Sequence, residues 1–331
     1  MVLNKFNSLS EYYGWYQLHT SESIGLVATK GCIHAGHMSL IGAARRDCDQ
    51  VVVTIAIHPN QFASVEDYNR FPRPVLEDVR KLEAPHGPDV VLILSKEECQ
   101  RYGAARSISI QLSPELIPGG KAHYSQRIWE GEATMMVKMV NISRPTRVYL
   151  GKKDIALSMM LKMVLRSLLY PVEVITLNSI RDEHGVVCDA RLRLLGAAEQ
   201  EASKAIYEAL SEVVRAYLND IFDVEVLKAR ARGVLKREGC IEEVFLRITN
   251  PFSLSEVSAV DPACGALVAL KVLVGKEHVE LTDNMILASR IPKDEESIKG
   301  IIKSMFTKRV VIVKKVPDEA NSNICSIKEV A

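Results

Sequence analysis

The sequence predicts an α/β fold in which helices cover both faces of a mostly parallel sheet, followed by a smaller α+β domain. Short apolar runs alternate with helical stretches up to about residue 183. Such runs are typical of strands buried on both faces, because crossover helices cover a parallel sheet on both sides. After that point the pattern changes to amphipathic helices and then to strands joined by turns. The length of 331 residues also favours two domains.

The elements of the first domain follow in order. The apolar run 24–29 predicts a buried strand that ends at the Lys30-Gly31 turn, and residues 38–46 have helical spacing. The remaining predicted elements are strands 50–57, 88–95, 106–112, 147–151 and 171–177, and helices 75–84, 133–142 and 157–168.

The second domain begins with helices. The pattern predicts one long amphipathic helix over 193–218, a second over 223–238, and antiparallel strands over 254–261 and 266–275 that close on the stretch VELTDN. The predicted boundaries are 1–183 for the first domain, 184–290 for the second and 291–331 for a C-terminal extension with no assigned role.

Bulk composition excludes several classes of function. The formal net charge of +1 gives no electrostatic reason to expect a nucleic-acid or membrane partner. No apolar run is long enough to span a bilayer, and the first residues lack a secretory pattern. We therefore expect a cytoplasmic protein.

The seven cysteines indicate a reducing compartment. Their number is odd and no C-x-x-C occurs, so neither a disulfide framework nor a metal site is predicted. Cys32 is either a reactive thiol or a small apolar filler, and we favour the filler.

The stretch GLVATKGCIHAGH, residues 25–37, carries the first functional signal. If a helix begins near Cys32 or Ile33, His34 and His37 stand on its first turn, where backbone N–H groups and the helix dipole favour an anion. Two imidazoles there can donate hydrogen bonds to a phosphate under attack, and Gly36 permits close approach. The alternative is a pair of capping or surface histidines; the preceding strand and glycine turn favour the functional interpretation.

Three polar stretches follow predicted strands. VATKG, HPNQF and GKKD come just after the carboxyl ends of strands. Ligands of parallel α/β sheets bind beyond those ends, so we expect the three stretches to converge on one cleft.

These stretches resemble the pantothenate synthetase (pantoate–β-alanine ligase) family of the H-I-G-H nucleotidyltransferase superfamily. The resemblance runs from about residue 24 to 284, through VVVTIAIHPNQFASVEDYNRFPR, NISRPTRVYLGKKD, SIRDEHGVVCDARLRLL and VSAVDP. It implies a Rossmann-like domain, a lid-like C-terminal domain, a homodimer and the use of ATP with Mg²⁺. It also implies that a small carboxylic acid is activated as an acyl-adenylate with release of pyrophosphate. A small amine or amino acid then forms an amide with release of AMP.

The resemblance also implies roles for individual residues. His34, His37, Lys153 and Arg191 match the catalytic phosphate-binding set. The implied ATP site comprises Thr29, Lys30, Gly31, His34, Gly36, His37, Gly151, Lys153, Asp154, Cys188, Asp189, Ala190 and Arg191. The implied acid site comprises Gln61, His58, Leu157 and Val137.

Departures from the family pattern cluster at these positions. Leu157 replaces the second of two glutamines that hold pantoate, and Asp189-Ala190 replaces two phosphate-binding serines. Lys30 occupies a methionine position in the first loop. We hypothesise that Lys30 and Asp189 form a compensating ion pair, or that Lys30 takes over lost phosphate contacts. Drift in a decayed enzyme is the alternative.

Four functions follow from this reading. The first is an ATP-dependent amide-forming ligase whose acid and amine differ from those of the family, because Leu157 suits a less polar acid than pantoate. The second is an authentic pantothenate synthetase. The third is a nucleotide-binding homologue without ligase chemistry. The fourth is nucleotidyl transfer to a phosphate acceptor, which the C-terminal resemblance disfavours.

Overall fold

The computed structural model describes residues 3–19, 23–95, 98, 108–113, 117 and 123–290, apart from the side chains of 123–125 and 154. In this part of the chain no helix has the length and apolar character needed to cross a membrane.

Six parallel strands form the main sheet of the described structure. Their order is β1-β4-β3-β2-β5-β6, so the chain moves from β2 toward one edge of the sheet and later continues from β5 toward the other. The topological switch point therefore lies between β2 and β5, where ligands of such sheets bind. The strands are β1 (Asn4–Phe6), β2 (Ile24–Thr29), β3 (Gln50–Ile55), β4 (Val90–Ile93), β5 (Arg147–Gly151) and β6 (Glu173–Leu177).

Helices cover both faces of this sheet. Along β2, Leu26 packs in the apolar cluster of one face and the next residue, Val27, packs in the cluster of the other. Alternation of this kind buries both sides of a strand, so β2 and β3 read as uninterrupted apolar runs. The helices of this domain are α1 (Leu9–Leu18), α2 (Ala35–Asp47), α3 (Val65–Arg70), α4 (Val75–Leu82), α5 (His123–Ser143) and α6 (Ile155–Ser167).

A second unit follows β6 and contains an antiparallel sheet of order β7-β8-β9. Buried side chains of α8 and α9, among them Leu210 and Leu227, share one apolar cluster with Ile248 and Val268 of the sheet. Its elements are α7 (Ala197–Ala202), α8 (Lys204–Leu218), α9 (Val224–Leu235), β7 (Ile241–Thr249), β8 (Ala266–Val274) and β9 (Val279–Leu287). The predicted fold class is confirmed: a Rossmann-like parallel sheet joined to a smaller α+β part.

The predicted strand over 106–112 is wrong where the structure describes it. Residues 108–112 have no strand, and 106–107 lie outside the described residues. The backbone N–H of Ile110 donates to Thr134 Oγ1 at 2.9 Å, and that of Leu112 donates to Glu130 Oε1 at 3.1 Å. Side chains of α5 therefore accept the backbone hydrogen bonds that, in a sheet, the carbonyl groups of a neighbouring strand would accept.

The long helix predicted over 193–218 is also wrong. The chain forms a 3-10 turn over Ala190–Leu194, and α7 and α8 are separate helices. Gly196 is the N-cap of α7, and its N–H donates to Glu199 Oε2 at 3.0 Å. Apolar periodicity continues across this break, so the pattern alone did not reveal it.

The strand predicted over 254–261 is absent from the structure as well. Leu254 has a left-handed φ of 57°, and the segment makes isolated bridges to two different partners, Thr249↔Glu256 and Asp223↔Ala259. The strand that pairs with β8 on this side of the sheet is instead β7, which the sequence pattern did not predict.

Candidate functional site

A cleft of about 680 Å³ opens at the switch point of the parallel sheet. The loops after β2 and β5 form its floor, α5 forms one wall, and the 3-10 turn Ala190–Leu194 and the antiparallel sheet close it from the other side. The cleft therefore lies where the carboxyl ends of the strands predicted it.

The loop between β2 and α2 is fixed by one buried carboxylate. Gly31 and Cys32 have φ values of 87° and 55°, in the left-handed region. Asp78 of α4, which is 1% exposed, accepts from the backbone N–H of Cys32 at 2.8 Å and of Ile33 at 2.6 Å. A Cβ on Gly31 would lie 3.0 Å from Asp78 Oδ2, so the close approach requires glycine.

Cys32 is a packed residue in this loop. It is 2% exposed, and burial, followed by the nearby Asp78 charge, raises the pKa of its thiol to about 11. A thiol with this pKa stays protonated near neutral pH, which supports the filler interpretation.

His34 and His37 lie at the start of α2. The helix begins at Ala35, so His34 is the N-cap and His37 is at the third helical position, slightly later than predicted. His34 Nδ1 accepts from the Gly36 N–H at 3.1 Å, and His37 Nδ1 accepts from the His34 N–H at 3.3 Å. This is a capping box built from two histidines, with ring centroids 4.0 Å apart.

Both imidazoles are neutral at physiological pH. Burial, helped by the nearby Lys153 charge, lowers the pKa of His34 to about 4 and that of His37 to about 3. Because each Nδ1 accepts a hydrogen bond, the single proton of each neutral ring is on Nε2. Each ring can therefore donate one hydrogen bond from Nε2 to a ligand in the cleft.

Lys153, Asp189 and Arg191 form the charged side of the same region. Lys153 Nζ lies 2.5 Å from Asp189 Oδ2, and Asp189 Oδ1 accepts from the Arg191 N–H at 2.8 Å. Burial alone would raise the pKa of Asp189, but Lys153 and Arg191 hold it down to about 2. The carboxylate is thus ionised and paired.

Arg191 keeps one unused donor. Its guanidinium lies 3.3 Å from Asp67 Oδ2, whereas its buried Nε–H makes no hydrogen bond within the described structure. A buried polar group without a partner is costly. The residue also lines the cleft, so its positive charge is available to an anionic ligand such as a nucleotide phosphate.

The hypothesised pair between Lys30 and Asp189 is wrong. Lys30 Nζ lies 2.5 Å from Glu132 Oε1 on α5, and Asp189 is paired with Lys153. Lys30 and Asp189, the two charges that depart from the family pattern, are therefore each paired with a different residue, at different places in the cleft.

The structure brings most of the predicted ATP-site residues to the wall of this one cleft. Gly151 is open to it, with nothing within 4 Å of a Cβ placed there. The side chain of Asp154 lies outside the described part of the structure. The predicted residues that line the cleft are Thr29, Lys30, Gly31, His34, Gly36, His37, Gly151, Lys153, Cys188, Asp189, Ala190 and Arg191.

The predicted acid-site residues divide into two pairs. Gln61 and Leu157 line the cleft. Val137 does not, because it packs in the apolar core beneath the sheet. His58 does not line it either: its Nδ1 accepts from the Asn60 N–H at 3.2 Å and caps the 3-10 turn Pro59–Gln61. The structure therefore does not bring these two side chains to the wall of the cleft, and their role in the acid site stays a prediction.

Sequence analysis missed Glu132, Asp78 and Asp67. Glu132 carries a signal that could have identified it: it interrupts the stripe formed by Ile128, Trp129, Met135 and Met139, which line the cleft at helical spacing. The predicted helix began at residue 133 and so excluded it. Asp78 and Asp67 act through distant backbone and side-chain partners, which spacing does not reveal.

The described residues contain no group of three or more His, Cys, Asp or Glu side chains arranged to hold a metal ion. Mg²⁺ is commonly bound through substrate phosphates, waters and one or two carboxylates.

The fold and the cleft define an enzyme that handles nucleotide phosphates at the switch point of a Rossmann-like sheet. Residues 1–286 match the family model described as pantoate-beta-alanine ligase, and the chain belongs to that family. It is an ATP-dependent ligase that forms an amide bond and releases AMP.

Similar proteins come from several bacteria. The pantothenate synthetase of Chloroflexus aurantiacus is 33% identical over 266 residues, covering 80% of this chain and 92% of its own length. That of Thermodesulfovibrio yellowstonii is 33% identical over 272 residues, covering 80% and 92%. A crystal structure of the Thermus thermophilus enzyme superposes with a TM-score of 0.77 at 25% identity, covering 85% of this chain and 98% of that one.

Proposed function

We propose that this chain joins pantoate to β-alanine at the expense of ATP, through a pantoyl-adenylate. The observation that carries the proposal is the neutral histidine pair whose two Nε2–H donors share a cleft with the cationic side chains of Lys153 and Arg191. Supporting it, the Francisella tularensis pantoate-beta-alanine ligase, which has a similar fold at a TM-score of 0.70 and 22% identity, has been crystallised in complex with β-γ ATP and β-alanine.

In the first half-reaction, a carboxylate oxygen of the acid attacks the α-phosphorus of ATP and pyrophosphate leaves. Negative charge grows on the phosphoryl oxygens and on the departing pyrophosphate. The two imidazole donors, the Lys153 ammonium and the Arg191 guanidinium stabilise that charge, and the N-terminus of α2 adds its positive dipole end. Because both imidazoles are neutral, their Nε2–H groups donate hydrogen bonds without adding positive charge to the cleft.

In the second half-reaction, the free amine attacks the carbonyl carbon of the acyl-adenylate. The C–N bond forms, the C–O bond to AMP breaks and the amine loses a proton. The antiparallel sheet forms one side of the cleft and so limits the access of water to the reactive mixed anhydride. Mg²⁺, held by the phosphates, would neutralise part of their charge.

A second candidate is the same chemistry on a less polar acid. Leu157, Met135 and Met136 line the end of the cleft between α5 and the turn Pro59–Gln61, and none of them can hydrogen-bond a hydroxyl group well. The curated relatives favour pantoate. We expect the choice of acid to rest on the polar residues at that end.

ATP–pyrophosphate exchange tests both candidates without requiring the amine. We expect exchange that depends on an acid, with pantoate the best of a panel of small hydroxylated and plain carboxylic acids. Fastest exchange with a different acid would support the second candidate. ATP binding without exchange for any acid would contradict ligase chemistry and favour a non-catalytic homologue.

The homodimer stays a prediction drawn from the resemblance, and the cytoplasmic location stays a prediction drawn from the sequence pattern. Light scattering on the purified protein measures the first directly, since a dimer would have twice the 36.8 kDa mass of the chain.

A further inference from the structure

An ion pair between the half-buried Lys30 and the buried carboxylate of Glu132 lies at the acid end of the cleft, which we define as the part between α5, the turn Pro59–Gln61 and Leu157. The Glu132 side chain is 11% exposed. Its Oε1 lies 2.5 Å from Lys30 Nζ, and its Oε2 accepts from Gln61 Nε2 at 2.9 Å. All three side chains line the cleft.

Stability does not explain this cluster. Removing an ion pair from water is costly, and well-packed apolar residues at the same place are often as stable or more stable. The neighbours of Glu132 on the cleft-facing stripe, Trp129, Met135 and Met136, are apolar. A carboxylate in that stripe is therefore better explained by a ligand than by packing.

Glu132 keeps acceptor sites that its contacts with Lys30 and Gln61 do not use. The Oε1 atom of Gln61 accepts from the His58 N–H at 2.9 Å, and its Nε2 donates to Glu132. A carboxylate offers about four acceptor sites, and these contacts use two of them on Glu132. The remaining sites are suited to a hydrogen-bond donor in the cleft.

We propose that Glu132 recognises a hydroxyl group of the acid substrate and so supplies the polar contact that Leu157 cannot make. The inference rests on the proposed function, because pantoate carries two hydroxyl groups beside its carboxylate. A neutral donor fits better than an ammonium group, since Lys30 already compensates the charge of Glu132. Lys30 is a positioning residue: it holds Glu132 and prevents it from repelling the carboxylate of the acid.

The test compares pantoate with its two monodeoxy analogues, each lacking one hydroxyl group, in ATP–pyrophosphate exchange. We expect the wild type to prefer pantoate over one analogue by about 10- to 100-fold in kcat/KM. E132V should reduce that preference to less than about threefold, mainly because kcat/KM for pantoate falls while that for the analogue changes little. E132Q keeps one acceptor oxygen and should give an intermediate preference.

Two further variants separate recognition from general damage. K30M/E132V removes both charges together, so a lost preference there cannot be caused by an unpaired Lys30. E130Q is the matched control on the same helix: Glu130 accepts from Leu112 and Gln126 outside the cleft wall, and glutamine keeps an acceptor. It should behave as the wild type.

The outcomes distinguish this inference from the proposed function. If E132V and K30M/E132V retain the wild-type preference, the role of Glu132 is overturned while the pantoate reaction stands. If the wild type gives no exchange with pantoate, the proposed function fails, and calorimetric binding of pantoate then decides about Glu132. Binding weakened about tenfold or more by E132V would support the contact, and unchanged or undetectable binding would overturn it.

Discussion

His34 uses its two ring nitrogens for two different purposes. Nδ1 accepts the capping hydrogen bond from Gly36, which orients the ring and fixes its proton on Nε2. Nε2–H is then the donor left for a phosphate. Folding and chemistry are therefore linked in one side chain, and a substitution that preserves only the cap separates them.

H34N makes that separation. Asparagine is a favoured N-cap whose side-chain oxygen can replace Nδ1 as the acceptor, but it has no group at the position of Nε2. We expect pyrophosphate exchange to fall by about 10²–10³, as when one transition-state donor is removed, with an almost unchanged melting temperature. H34A serves as the comparison, because it also loses the cap and about 1 kcal/mol of stability. An H34N enzyme with more than about half the wild-type rate would contradict the role of the ring.

The lowered pKa of His34 predicts a pH dependence of stability. The pKa is about 4 in the folded protein and about 6.5 when unfolded, so between these values the unfolded chain binds a proton that the folded ring does not. Stability should fall as the pH falls through this window, by at most about 3 kcal/mol and less where solvent screens the half-buried ring. Urea unfolding from pH 7 to 4.5 should show a shallower loss in H34N than in the wild type. Parallel curves would contradict the assignment.

The histidine pair could be predicted because its evidence is local: a strand, a glycine turn and two histidines three residues apart. Glu132 and the pairing of Lys30 could not, because their partners come from distant segments. Lys30 and Glu132 are 102 residues apart in the chain. The contact between these two side chains depends on how α5 packs on the sheet, and no local sequence pattern predicts that packing.

At the scale of elements, the loop between β2 and α2 depends on α4. Asp78 satisfies two adjacent backbone donors in a segment with left-handed residues, and Lys81 Nζ donates to the Ile33 carbonyl at 2.7 Å. Burial raises the pKa of Asp78, while the two backbone hydrogen bonds oppose that shift. The helix therefore sets the position from which α2 and its histidines begin.

D78N should disturb this loop strongly. The amide keeps one acceptor but presents an N–H to the other backbone donor, leaving a buried pair unsatisfied, at a cost of about 2–4 kcal/mol in the free energy of unfolding. We also expect a raised KM for ATP. E83Q, which weakens the exposed pair with Lys5 at the end of the same helix, is the control and should change both quantities little. Wild-type stability in D78N would mean that the loop holds its shape without the carboxylate.

Elements were predicted best where burial is complete. Strands 24–29 and 50–57 match or closely match β2 and β3, whose residues are almost all buried, because a strand covered on both faces is apolar along most of its length. The errors occur where capping or side-chain contacts override periodicity, at Gly196, Leu254 and Ile110. The spacing of apolar residues carries no information about these capping and side-chain contacts.

At the scale of the whole molecule, polar contacts join the second unit to the first beside the cleft. Asn284 of β9 donates to the carbonyls of Lys152 and Lys153 at 2.8 and 2.6 Å. Arg181, just after β6, binds Asp283 with two hydrogen bonds of 2.6 and 2.9 Å, and Asp283 is 3% exposed. The turn that carries Lys153 is thereby tied to the antiparallel sheet.

R181M should weaken this junction. It leaves the Asp283 carboxylate buried without its cation, which typically costs about 3–5 kcal/mol. We expect a lower midpoint in urea unfolding and a higher KM for ATP. R237M, which breaks the exposed pair with Glu208, is the control and should have little effect. Equal midpoints for R181M and R237M would show that the junction does not depend on this pair.

Oxygen transfer from the acid to AMP tests the central claim most directly. In the proposed reaction a carboxylate oxygen attacks the α-phosphorus and stays with AMP when the amine displaces it. With ¹⁸O-labelled pantoate, β-alanine and ATP, mass spectrometry should find one ¹⁸O in AMP for each pantothenate formed. Unlabelled AMP, or ADP and phosphate in place of AMP and pyrophosphate, would contradict the acyl-adenylate route.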